Sequence, residues 1–144
     1  MKIAISTGNG GLEDNITPIF GRCLTYTLVD YNEKTKEIEK VEIISNPGNQ
    51  AGGGAGIIAA QTIVNSKIDT VITGSCGPNS TTVLIQAGIT IYSAGGNVKK
   101  AIDDLSSGRL TKINSANVGT KFGISEMGRG FGRGRGFGRR GGQF

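Results

Sequence analysis

Cys76 stands in the run Gly74-Ser75-Cys76-Gly77-Pro78-Asn79, where a soft nucleophile lies between glycines and just ahead of a helix-starting proline. A thiol in a strand-to-helix loop of this kind is expected to be exposed to the helix N-terminus. The partial positive charge there lowers a thiol pKa and suits the thiolate to soft metals or an iron-sulfur cluster. Three further loops are rich in glycine or polar residues: residues 7–11, 94–97 and 52–56. Their N–H groups can hold an anion at a helix N-terminus, although tight turns and caps call for the same glycines. Cys23, after Phe20-Gly21-Arg22, reads as a small buried hydrophobe. Two thiols cannot give a cluster four ligands, so one chain would need other ligands or would dock an assembled anionic species.

Composition removes much other chemistry. The chain has no histidine, so Ser-His-Asp and Cys-His catalysis and His-ligated metals are excluded. The glycine motifs are not the familiar phosphate binders. Residues 48–53 lack the Lys-Ser/Thr that completes a Walker A loop, and residues 52–57 lack the last glycine of GxGxxG and follow a loop.

The elements that must position these loops are legible in outline. Residues 2–6, 24–31 and 37–44 are rich in apolar and β-branched residues and read as strands, the first three elements being antiparallel. Residues 46–56 read as a flexible loop. From there the pattern alternates. Residues 57–65 form a helix, 69–73 a buried strand, 79–87 a helix capped by Asn79 or Ser80, and 89–92 another strand. Asn97 caps the clearest helix, with Val98, Ala101, Ile102 and Leu105 on one face and Gly108 as the stop. The fold class is α/β: a mixed sheet with its first, fourth and fifth strands parallel and crossover helices on its faces. In such sheets ligands gather outside the carboxyl ends of the parallel strands.

At 144 residues the chain is about one domain in length. No signal-like segment or membrane-length apolar run is present, so the expected location is cytoplasmic, with reduced thiols and no membrane contact. Residues 1–128 carry 11 basic and 11 acidic side chains, and the net +5 resides entirely in residues 129–144. There Arg129, Arg133, Arg135, Arg139 and Arg140 alternate with glycines and with Phe131, Phe137 and Phe144. That composition reads as a disordered Arg/Gly/Phe tail, able to make weak, salt-sensitive contact with RNA or simply to solubilise the chain. Nucleic-acid binding through this RGG-like tail is the alternative functional reading.

Phe20-Gly21-Arg22, residues 53–57 followed by Ala59-Ala60-Gln61, residues 71–74 followed by Gly77-Pro78-Asn79, and Ala87-Gly88-Ile89 followed by Tyr92 occur in that order. Together they resemble the dinitrogenase iron-molybdenum cofactor biosynthesis family, which includes NifX and the C-terminal domain of NifB. The resemblance implies a ribonuclease H-like three-layer fold over residues 1–110, with five strands in the order 3-2-1-4-5. Residues 111–128 would be an extension. It further implies a carrier or chaperone for an iron-sulfur or iron-molybdenum precursor cluster, not an enzyme, with cofactor-assembly proteins as partners. The family motifs map onto Phe20, Gly21 and Arg22, onto Gly53 to Gly56, and onto Gly74, Gly77, Pro78 and Asn79. With the loop and thiol reading above, the candidate binding residues are Arg22, Gly53, Gly54, Gly56, Gly74, Ser75, Cys76, Gly77 and Asn79, with Cys76 the candidate metal ligand. A ribonuclease H-like fold also raises nuclease activity, which needs converging carboxylates. The first strand, Lys-Ile-Ala-Ile-Ser, has none, and Glu13, Asp14 and Asp69 are scattered.

Overall fold

Ile3, Ala4 and Ile5 have no exposed surface, as a central strand covered on both faces requires. In the computed structural model, which describes residues 1–50 and 54–114, they belong to β1 (Lys2–Thr7). β2 (Thr25–Asn32), β3 (Glu37–Ser45), β4 (Thr70–Thr73), β5 (Thr90–Ser93) and β6 (Thr111–Ile113) complete one sheet in the order β3-β2-β1-β4-β5-β6. β2 is antiparallel to β1 and to β3, while β1, β4 and β5 run parallel. The expected order of five strands is therefore present but is extended to six. The sixth comes from the start of the extension: Ile113 pairs with Ile91 and buries its side chain against the core. Three residues with one apolar anchor are too short to announce a strand without the sheet edge that receives them.

Three helices cover the sheet: α1 (Ala55–Asn65), α2 (Pro78–Gln86) and α3 (Val98–Ser106). α1 and α2 lie on one face, where Ala59, Ala60, Ile63 and Leu84 pack with Ala4, Val71 and Ile91. α3 lies on the other, where Val98, Ala101 and Ile102 meet Ile3, Ile5 and Ile72. Alternation along β1 and β4 thus splits their side chains between two apolar layers. No helix among the described residues is long and apolar enough to cross a membrane.

Local chemistry explains the helix starts. Asn97 caps α3 as its sequence promised, its side chain accepting from the Lys100 N–H at 3.1 Å. α2 starts earlier than expected, at Pro78, with extended Gly77 as its N-cap and no capping hydrogen bond from a side chain. Proline at the first helical position fixes a helical φ there, leaving Asn79 and Ser80 inside the helix and not as caps. Residues 46–50 are likewise no loose loop. Asn46 is buried and the chain turns through a 3-10 segment, Pro47–Gln50.

Candidate functional site

β3 runs parallel to β1 through their shared neighbour β2, so the chain enters α1 and α2 at the carboxyl end of the sheet. A cleft of about 260 Å³ opens there, lined by Ile19, Gly21, Arg22, residues 54–56 and residues 77–80. It gathers Arg22, Gly54, Gly56, Gly77 and Asn79 from the sequence-derived set. Gly53 lies outside the described residues.

Two close approaches shape the cleft. A Cβ on Gly56 would overlap the Ser80 hydroxyl, and one on Gly21 would come within 3.1 Å of the Gly56 Cα. Glycine at these places lets the first turns of α1 and α2 and the Phe20–Arg22 turn meet almost backbone to backbone. Gly54 completes the entry to α1 with φ +71, a left-handed conformation that side chains disfavour.

Gly74 and Ser75 do not line the cleft; they hold the segment that carries Arg22. The Gly74 N–H donates to the Thr17 carbonyl at 3.2 Å, and the Phe20 N–H donates to the Ser75 carbonyl at 3.0 Å. The Ser75 hydroxyl donates to the Pro18 carbonyl at 2.9 Å, and Pro18 backbone lies 2.7 Å from where a Gly74 Cβ would stand. Phe20 is buried against Tyr26, with ring centroids 5.1 Å apart, and the Tyr26 hydroxyl donates to the Phe20 carbonyl. Asn46 secures the far side. Its amide donates to the carbonyls of Gly21 at 3.2 Å and Cys23 at 2.8 Å, and its side-chain oxygen accepts from the Gly48 N–H at 2.9 Å. Arg22 therefore projects as an exposed cation from a turn anchored on both flanks.

The electrostatics follow from what lines the cleft. Among the described residues Arg22 is the one charged side chain that lines it, and no carboxylate does. α1 and α2 both point their N-termini here without a side-chain cap. Their first-turn N–H groups have no intrahelical partners, and the helix dipoles favour negative charge at this end. The other two glycine loops differ in kind. Asp14 accepts from the N–H groups of Gly8 at 3.0 Å and Gly10 at 2.8 Å, and the Gly11 N–H donates to Thr27. At α3, the Val98 and Lys99 N–H groups donate to the carbonyls of Asp14 and Leu12, beside the Asn97 cap. Those donors are consumed within the fold. The hydrogen bond from Gly10, with those from neighbouring N–H groups, holds the Asp14 carboxyl below the usual carboxylate range. Asp69 also has a structural role, accepting from the Lys2 N–H.

Cys76 departs from its expected exposure. It has no exposed surface and belongs to the core beneath α1 and α2, where burial pushes its thiol above the ordinary value. The local sequence shows the loop and its glycines but not the direction of the side chain, and desolvation of a thiolate outweighs proximity to the helix N-terminus. Cys23 is buried as expected, and burial raises its thiol too. Among the described residues no three His, Cys, Asp or Glu side chains converge to hold a metal ion. Sequence reasoning missed Asn46, Ile19 and Ser80. The only sequence signal for Asn46 is its place before Pro47-Gly48.

Residues 1–108 match the family model described as dinitrogenase iron-molybdenum cofactor. The chain belongs to that family. Among solved structures, the apo form of the orange protein from Desulfovibrio gigas is similar at 28% identity and TM-score 0.72, over 81% of this chain and 95% of that one. A candidate NifB protein from Thermotoga is 25% identical with TM-score 0.66, covering 82% of this chain and 97% of its own. A candidate dinitrogenase from Methanocaldococcus jannaschii, 24% identical with TM-score 0.63 over 80% and 96%, shares the fold. No curated protein sequence matches the chain. Of the motif residues, Gly21-Arg22, residues 54–56 and residues 77–79 meet around the cleft, whereas the Arg/Gly/Phe segment lies outside the described residues.

Proposed function

We infer that this member of the family is a non-catalytic carrier that binds a preassembled, anionic metal-sulfur species in the cleft between α1 and α2. The observation that carries the reading is the donor set. Arg22 and two helix N-termini without a side-chain cap face one opening that, among the described residues, no carboxylate lines. Such a set attracts an anion of any shape that fits, while a bare cation finds no carboxylate among the described lining residues. A preassembled iron-sulfur or iron-molybdenum precursor that arrives with its own sulfides and with external anionic ligands is net negative, so it requires complementary charge and N–H donors more than it requires thiolates of the carrier. The family and the likeness to the orange protein and the candidate NifB protein support this cargo class. Outer-sphere holding suits a protein that must release its cargo to an acceptor, since few covalent ligands need be exchanged. Its partners are then cofactor-assembly proteins, one donating and one receiving. The antiparallel β2 beside the parallel β1, β4 and β5 supports the ribonuclease H-like assignment of the frame.

The test is anaerobic loading of the full chain with a preassembled iron-sulfur species, followed by iron and sulfide analysis and absorption spectra. Stoichiometric uptake is expected, with affinity falling roughly tenfold in Arg22→Ala and falling with salt. Cys76→Ser should retain uptake. Loss of uptake in that variant, with the fold intact, would make the buried thiol a direct ligand. Absence of uptake by the unaltered chain would remove the carrier reading.

A further inference from the structure

The two edges of the sheet are unlike. β6 is a three-residue strand carrying Lys112, the short, charged edge that resists pairing with other chains. β3 has nine residues, and among the described residues it pairs only with β2. Val41 is 39% and Ile43 49% exposed on the face that α3 covers only in part. The β2–β3 register shifts after Asp30–Lys40 to Tyr31–Ile38, so Glu39 is a bulged residue and residues 40–45 form the regular run.

Charged residues on an outer strand usually prevent edge pairing. Those of β3 are instead self-complementary in one register. When a strand pairs antiparallel with its own copy about a two-fold axis, side chains share a face only if one residue lies opposite itself. Centring on Lys40 or Glu42 sets like charges against each other. Centring on Ile43 leaves Lys40 opposite Asn46 and Glu42 opposite Ile44. Centring on Val41 places Lys40 opposite Glu42 on both sides of the axis, with Val41 against Val41.

We propose that β3 is an interaction surface for a second copy of this chain, joined antiparallel about Val41 with reciprocal Lys40–Glu42 pairs. The product is an isologous dimer with one continuous sheet. It leaves the helix-bearing faces and the cleft unaltered and does not depend on what the cleft carries.

Sedimentation equilibrium of the full chain over a range of concentrations tests it, with thermal melts by circular dichroism as the check on folding. A concentration-dependent dimer is expected. Lys40→Glu and Glu42→Lys should each weaken association by roughly tenfold, because each sets like charges opposite twice. The double variant Lys40→Glu/Glu42→Lys should restore it to within about a factor of two. A monomer at every concentration, single variants that dimerise unchanged, or a double variant as weak as the singles would overturn the proposal. So would β3 amides protected from hydrogen exchange in a monomer only while residues 115–144 are present, which would assign the edge to the chain's own C-terminal segment.

Discussion

The Ser80 hydroxyl occupies the space into which a side chain on Gly56 would grow, so the first turns of α1 and α2 touch with nothing between them. That contact brings two helix N-termini to one cleft, and it depends on a residue that contributes no atoms beyond the backbone. Gly56→Ala should destabilise the fold by about 1–3 kcal/mol, the range for forced overpacking. Thermal unfolding should show Gly56→Ala/Ser80→Ala recovering much of that loss, because the second change removes the clashing oxygen. A double variant no more stable than Gly56→Ala would place the strain elsewhere.

Asn46 closes the other flank of the site. Asn46→Ala strips the Gly21 and Cys23 carbonyls of their donor inside the protein and leaves them buried. Each unsatisfied group costs about 1–3 kcal/mol, and the loss should appear as a lower midpoint in urea at unchanged slope. The same variant should bind a preassembled iron-sulfur species more weakly than its stability alone explains, since the turn carrying Arg22 is no longer held.

Acid should loosen the loop that follows β1. The Asp14 carboxyl titrates below its ordinary 3.8 in the folded chain. Its contribution to stability is therefore complete above that value and is lost as pH falls through the lowered folded pKa. Asp14→Asn should cost roughly 1 kcal/mol at neutral pH and flatten the acid limb of stability against pH. An acid limb identical to that of the unaltered chain would show that other carboxylates govern it.

The thiols give the alkaline counterpart. Cys23 and Cys76 are buried, and burial raises both above the ordinary 9.0. Native protein should thus react slowly with a thiol reagent at neutral pH, and both groups should react once the chain is unfolded. Because the unfolded thiols ionise first, stability should decline as pH rises above about 9. Rapid modification of Cys76 in the native state would contradict its burial and reopen its role as an exposed ligand.

The strand and helix order was legible because apolar periodicity and turn residues are local signals. β1 reads as a short strand from the consecutive apolar residues Ile3, Ala4 and Ile5, and α3 from an Asn97 cap, an apolar stripe and a Gly108 stop. The grouping of Phe20-Gly21-Arg22 with the later glycine runs was also visible, as an ordered set of motifs. Composition alone located the positive charge in the last 16 residues and excluded histidine chemistry.

Three matters were decided only by the tertiary structure. β6 exists because β5 offers an edge that a three-residue segment can join, and no local pattern contains that edge. Which glycine loops remain open to a ligand depended on distant partners: Asp14 and Thr27 consume the donors after β1, whereas among the described residues no side chain caps α1 or α2. The orientation of Cys76 depended on where α1 and α2 pack, and they pack over it. Residue type and spacing fix what a side chain can do, but its solvation and neighbours come from parts of the chain far away in sequence, and those set its pKa and its access to a ligand.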